Sequence, residues 1–181
     1  MIRRARIAVG LLAVVINAGV VLAAPSVNRA GVDVSTQVRR QIATLPYTGI
    51  WDWIEADVRT DGTVVLRGDV LRPSSKEDAE YRIRRIETVT NVVNDIHVLP
   101  LSQFDNDIRL AVYRSLFKAS SPLSGYILGA NPSIHIIVEN GNVTLKGVVS
   151  NAMDRQLAFV AARNVFGVMN VNNQLRLESE L

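Results

Sequence analysis

The chain contains no cysteine, so disulfide frameworks, cysteine zinc sites and thiol nucleophiles are all excluded. Histidine is almost as scarce: His97 and His135 are the only two among 181 residues. That leaves little material for a His-rich metal site or a catalytic base. Recognisable pairs of carboxylates, a nucleophile beside a base, and Gly-rich phosphate loops are missing as well, so the sequence reads as a non-enzyme. A lasting excess of one charge is also absent. The 20 basic residues face 17 acidic ones, but Arg3, Arg4 and Arg6 lie in the first six positions. Removing residues 1–23 takes those three arginines and no acid, leaving 17 of each sign. A neutral body argues against nucleic-acid binding, which needs a surplus of Lys and Arg on one face.

What is present begins with that first segment. Three arginines, an apolar run from Ile7 to Ala24 and small residues at its end form the parts of a secretory signal peptide. Val21-Leu22-Ala23 places cleavage after Ala23, because a cut after Ala24 would put Pro25 beside it. The alternative is an uncleaved anchor in the inner membrane formed by residues 7–24, just long enough to span a bilayer. Either reading exports the body to the periplasm. No cysteine follows the run, so a lipoprotein anchor is excluded.

The body is duplicated. Asp61-Gly62-Thr63-Val64-Val65-Leu66-Arg67-Gly68-Asp69-Val70 matches Asn140-Gly141-Asn142-Val143-Thr144-Leu145-Lys146-Gly147-Val148-Val149 at an offset of 79. The offset holds onward through Ala79 and Ala158, Val89 and Val168, Val92 and Val171, and Asn94 and Asn173. Upstream it becomes 74, pairing Asp33, Val34, Val38 and Ile42 with Asp107, Ile108, Val112 and Leu116. Five extra residues are therefore expected in the second copy, within Lys118 to Ser133.

Val34, Val38 and Ile42 recur at helical spacing, with Asp33 and Asp107 as expected N-caps. Ile54, Ala56 and Val58 alternate with polar residues, as in a half-buried strand. Asp61-Gly62 and Asn140-Gly141 are hairpin signals. Gly68 and Gly147 fall on the inner side of the returning strand, where a missing side chain lets the helix above come close. Ser75, with Asp78 three residues on, opens a second helix whose stripe is Ala79, Ile83 and Ile86. Val92, Asn94, Ile96 and Val98 close the unit, echoed by Val171, Asn173, Leu175 and Leu177. The expected fold class is α+β: two tandem small two-layer modules, each helix-strand-strand-helix-strand, with two helices on a three-stranded sheet. Boundaries fall at 33–99 and 105–178, with a linker at 100–104. Units this small are marginal alone, which favours packing between them.

The second copy carries Gly141, Val143, Leu145, Gly147, Val149, Ala158, Gly167, Val168, Val171 and Asn173, and the first keeps most of these, with Thr88 in place of Gly167. This pattern resembles the BON domain, named for bacterial OsmY and nodulation proteins. The resemblance implies a non-catalytic envelope protein linked to osmotic or envelope stress, and in some members anionic phospholipid binding through the second domain. It implies no catalytic residues and no cofactor.

Charge separates the copies. Residues 33–99 carry 9 basic and 11 acidic side chains, whereas 105–178 carry 7 and 5. At the constant offset, Glu55, Asp57 and Arg59 become Ile134, Ile136 and Val138. These aliphatic residues are expected on the sheet face away from the helices, beside Lys146 and Arg176. Such a patch suits anionic lipid or a protein partner. Packing of this face on the first copy is the competing reading, as is a bulge that turns the isoleucines inward. Tyr126, Ile127 and Leu128, between Gly125 and Gly129, form either an apolar tip for a membrane or a loop tucked over the core. Tyr47, Trp51 and Trp53 read as packing residues. Arg82, Arg84 and Arg85 are interleaved with Glu77, Glu80 and Glu87, which reads as an ion-paired surface and not a phosphate site. The expected function is an envelope protein that binds anionic phospholipid through the second module; the alternative is a protein-interaction or assembly module.

Overall fold

The computed structural model describes residues 29–128 and 131–181, with side chains from Val34 onward. The expected signal or anchor segment, the side chain of Asp33, and Gly129 lie outside the described residues.

Each copy folds as helix, strand, strand, helix, strand. The first contains α1 (Arg29–Ala43), β1 (Trp53–Val58), β2 (Thr63–Val70), α2 (Pro73–Arg84) and β3 (Asn91–Val98). The second contains α3 (Gln103–Leu116), β4 (Ile134–Glu139), β5 (Asn142–Val149), α4 (Ala152–Arg163) and β6 (Asn170–Leu177). Sheet orders are β1-β2-β3 and β4-β5-β6. A hairpin joins the first pair of strands antiparallel in each sheet, and a helical crossover makes the second pair parallel.

The helix stripes bury as their spacing predicts: Val38, Ala79 and Ile83 in the first module, Val112, Leu116, Ala158 and Ala162 in the second. Each fully buried aliphatic chain contributes about 1.5–3 kcal/mol. Asn94 and Asn173, polar residues on the helix-covered faces, are satisfied across the layers. Their amides donate to the carbonyls of Lys76 and Arg155, and their own oxygens accept from the N–H of Ile96 and Leu175.

Several local expectations are corrected. α1 and α3 begin before Asp33 and Asp107, and the N-cap of α3 is Ser102, whose Oγ accepts from the Asp105 N–H. Thus α3 opens inside the expected linker. α2 begins at Pro73, since proline suits the first turn, and Ser75 lies inside it, buried. Gly68 and Gly147 do not make room for a helix. A side chain there would strike the backbone of the neighbouring strand, at Trp53 and Ser133, and both glycines have positive φ.

The largest correction concerns register. In the first hairpin, the Arg59 N–H donates to Thr63 O and the Gly62 N–H to Arg59 O, so Thr60-Asp61-Gly62 make a three-residue connection. In the second, Glu139 faces Asn142 directly across Asn140-Gly141, both with positive φ, a two-residue connection. One residue fewer changes the offset of the first strands from 79 to 80. Ile54 opposite Gly68 therefore corresponds to Ile134 opposite Gly147. Ile134, Ile136 and Val138 accordingly point toward the helices, each 0% exposed in the second core, and not to the outer face. The insertion before β4 is six residues, the shorter hairpin hiding one.

Candidate functional site

The helix-free sheet faces meet each other. On the first sheet this face carries Glu55, Asp57, Val65, Arg67, Asp69, Asp95 and His97; on the second, His135, Ile137, Glu139, Lys146 and Arg176. Val65 and Ile137 are only 1% and 5% exposed. The Trp53 and His135 rings stack edge-on with centroids 4.9 Å apart. His97 lies 3.4 Å from Asp69 and 3.7 Å from Glu139, spanning both modules. Arg176 shares a cleft with Glu55, Asp57 and Arg67. An acidic face thus meets a more basic one. Lys146 is half-buried and Arg176 exposed on this seam, beside the first module and away from any open apolar patch.

The connection before β1 seals the seam. Ile50 O accepts from the Ile136 N–H at 2.8 Å, so the Gly49–Asp52 turn, closed by the Asp52 N–H donating to Gly49 O, sits on the β4 edge. Ile50 and Trp51 pack on the second core, Trp51 against Tyr113 at 5.8 Å. His135 Nδ1 donates to Gly49 O at 3.1 Å, and burial pushes its pKa below the ordinary value. Trp51 and Trp53 are therefore packing residues, but of the joint between modules. Tyr47 is not; it is exposed, at positive φ, with the Arg72 guanidinium 5.4 Å above its ring.

The insertion folds as a 3-10 turn, Pro122–Ile127, over the second core, with Leu123 fully buried. Tyr126 and Ile127 are half-buried against that core. The Tyr126 hydroxyl donates to Asp154 at 2.6 Å and accepts from the Ser150 N–H. Only Leu128 of the three stands exposed. The arginines of α2 form one ion pair, Arg84 with Glu80. Arg82 instead donates to the carbonyl of Thr44 after α1, and Arg85 to the Tyr81 hydroxyl.

Two features were missed in the sequence. Asp105, fully buried, accepts from the N–H groups of Asn140 and Gly141, pinning α3 to the hairpin tip. Beside it, buried Arg109 donates to Val138 O; burial lowers its pKa, opposed by the carboxylates of Asp105 and Asp52. The equivalent positions in the first copy are Gly31 and Ser35, a difference visible at the offset of 74. The second feature is an apolar end of the second module. Phe166 is 100% exposed, Met169 66% and Phe104 49%. Side chains of Phe104 and Met169 lie over the Gly167 and Gly141 backbones, which gathers all three residues at the hairpin end. Arg163 donates to Met169 O at 2.9 Å and places a cation beside them. At the offset of 79 the first copy has Glu87 and Thr90 in place of Phe166 and Met169, the signal that would have found the patch.

Residues 32–100 and 105–179 each match the BON domain. The chain belongs to the BON domain family. BON domains are non-catalytic binding domains, and no enzyme family is indicated for this chain. None of the curated protein sequences compared matches it. Among solved structures, the C-terminal domain of CdsD, a structural protein of the type III secretion system of Chlamydia trachomatis, is 15% identical. That match covers 81% of this chain and 98% of that one, with a TM-score of 0.29. A second structure of CdsD aligns at 15% identity over 82% and 94%, also with a TM-score of 0.29. Among the described residues of the tandem BON protein, no group of three or more His, Cys, Asp or Glu could hold a metal ion, and no helix is long and apolar enough to cross a membrane.

Proposed function

We propose that this tandem BON protein is exported to the periplasm and binds the anionic phospholipid surface of the envelope through its second module, in support of envelope integrity. The observation that carries the reading is the Phe104–Phe166–Met169 end. Large apolar side chains held in solvent by a folded scaffold mark a contact surface. Aromatic residues suit the headgroup boundary, and a neighbouring guanidinium suits anionic lipid. The contact therefore moves from the outer sheet face, which the first module covers, to the end of the module around the second hairpin.

Burying one Phe side chain in an interface contributes about 1.5–3 kcal/mol. Phe166→Asp is expected to weaken sedimentation with anionic vesicles by about tenfold or more, with the far-UV spectrum unchanged. Binding to neutral vesicles should be weaker, and high salt should reduce the anionic component. Undiminished binding by Phe166→Asp, or none by the parent protein to either vesicle, would sink this reading.

A further inference from the structure

The two BON modules present the same structural position in two states, one filled and one open. In the second module, the space between α3 and the edge of β4 is taken by the turn at Ile50 and Trp51, whose Ile50 carbonyl accepts from the Ile136 N–H. Register makes Ala56 the equivalent of Ile136, since both sit opposite the central Leu of their partner strands, Leu66 and Leu145. The hydrogen-bonded pair Arg59–Thr63 fixes the parity of the first hairpin. It turns the N–H and C=O of Ile54, Ala56 and Val58 away from β2, toward the open side. None of these three residues makes a hydrogen bond outside its sheet among the described residues.

That open side is a groove of about 680 Å³, lined by all six residues of β1. One wall is α1, at Val38, Arg39 and Ile42; Arg67 and, from the second module, Arg176 also line it. An unpaired strand edge flanked by an apolar helix face has the elements needed to add a strand about 4.8 Å away. The charges narrow the occupant. Arg39, Arg67 and Arg176 face only Glu55 and Asp57 as carboxylates lining the groove, and none of the five forms an ion pair among the described residues. Arg39 also stands where the second module has Tyr113, the aromatic that Trp51 covers.

We propose that β1 is a peptide-binding edge, which receives an extended segment of a protein partner with alternating aliphatic and acidic side chains. The aliphatic residues sit against Val38 and Ile42 as Ile50 sits on the second core, and the acidic ones meet the guanidiniums. This site is on the first module and does not depend on the membrane contact proposed for the second.

The test titrates a capped peptide, Thr-Ile-Glu-Val-Glu-Ile-Thr, into the isotope-labelled mature chain and follows its amide resonances. Shifts centred on Ile54–Val58 are expected. Methylating the peptide's backbone nitrogens should weaken binding at least about tenfold. Ala56→Pro removes the outward N–H without touching the ladder to β2, and should do the same with the sheet retained. Replacing the glutamates by lysines should weaken binding, and Phe166→Asp should leave it unchanged. The proposal is overturned by no shifts at about 1 mM peptide, by shifts elsewhere, or by binding that tolerates N-methylation. If the β1 amides instead shift with rising protein concentration and the peptide does not compete, the occupant is a second copy of the chain, and the partner proposal fails.

Discussion

The two modules share an element order and a core pattern, yet β4 is buried throughout its inner side while β1 is only half-buried. Ile134, Ile136 and Val138 are sealed by α3, by the Pro122–Ile127 turn and by Ile50 and Trp51 of the first module. Ile54, Ala56 and Val58 differ from them only in the smaller Ala56, and among the described residues no segment crosses their edge. The second module therefore has a complete core at the cost of its neighbour's connection, and the first keeps an open edge. Duplication does not give two equal domains. Once one copy lends a segment to the other, their exposed chemistry diverges, which explains why the acidic and basic faces meet inside while the apolar end and the groove point outward.

The contrast between the strands is sharpest at one substitution. Ile136→Asp places an unpaired carboxylate in the second core and should unfold that module, a loss of about 4 kcal/mol or more. Ile137→Asp, one residue on and across the sheet, should leave the module folded and loosen the seam instead. Denaturant unfolding and small-angle scattering separate these outcomes. If Ile136→Asp folds normally, the 80-residue offset between first strands is wrong.

A smaller effect tests the buried pair that only the second module has. Asp105→Ala leaves two hairpin N–H groups without their acceptor and Arg109 without its neighbouring carboxylate. A destabilisation of about 2–4 kcal/mol is expected, read from urea unfolding of the second module. Equal stability would mean that the hairpin tip holds itself.

The smallest effect concerns pH. Burial beside Trp53 depresses the pKa of His135, opposed first by its hydrogen bond to the Gly49 carbonyl and also by the Asp52 carboxylate. Because its folded pKa is depressed, the stabilisation is complete above the unfolded value of about 6.5 and is lost as pH falls from there through the lower folded value. The seam should weaken over that range, seen as a change in Trp53 fluorescence. His135→Phe should remove the dependence; a change that persists in that variant assigns it to another group.

The repeat made most of this architecture legible. Periodicity at Val34, Val38, Ala79, Ile83, Val92 and Ile96 located helices and strands, and Asp61-Gly62 and Asn140-Gly141 located hairpins. The candidate site was much less legible. Lys146 and Arg176 were placed on the right face, but that face proved to be a seam, and the isoleucines expected beside them are core. Tyr126 and Ile127 cover the core, and the exposed Phe166 went unread although Glu87 at the matching position marked it.

Local spacing alone determined the element order, the duplication and the inner stripes, because burial of an apolar face repeats with the geometry of its own helix or strand. The face of β4 was decided by tertiary structure. Two connections, three residues and two residues long, both satisfy the same Gly-containing hairpin signal, and a one-residue difference inverts every side chain on a strand of period two. The filled and open edges were decided at longer range still, by Ile50 reaching β4 across 86 residues, a pairing that no local pattern encodes.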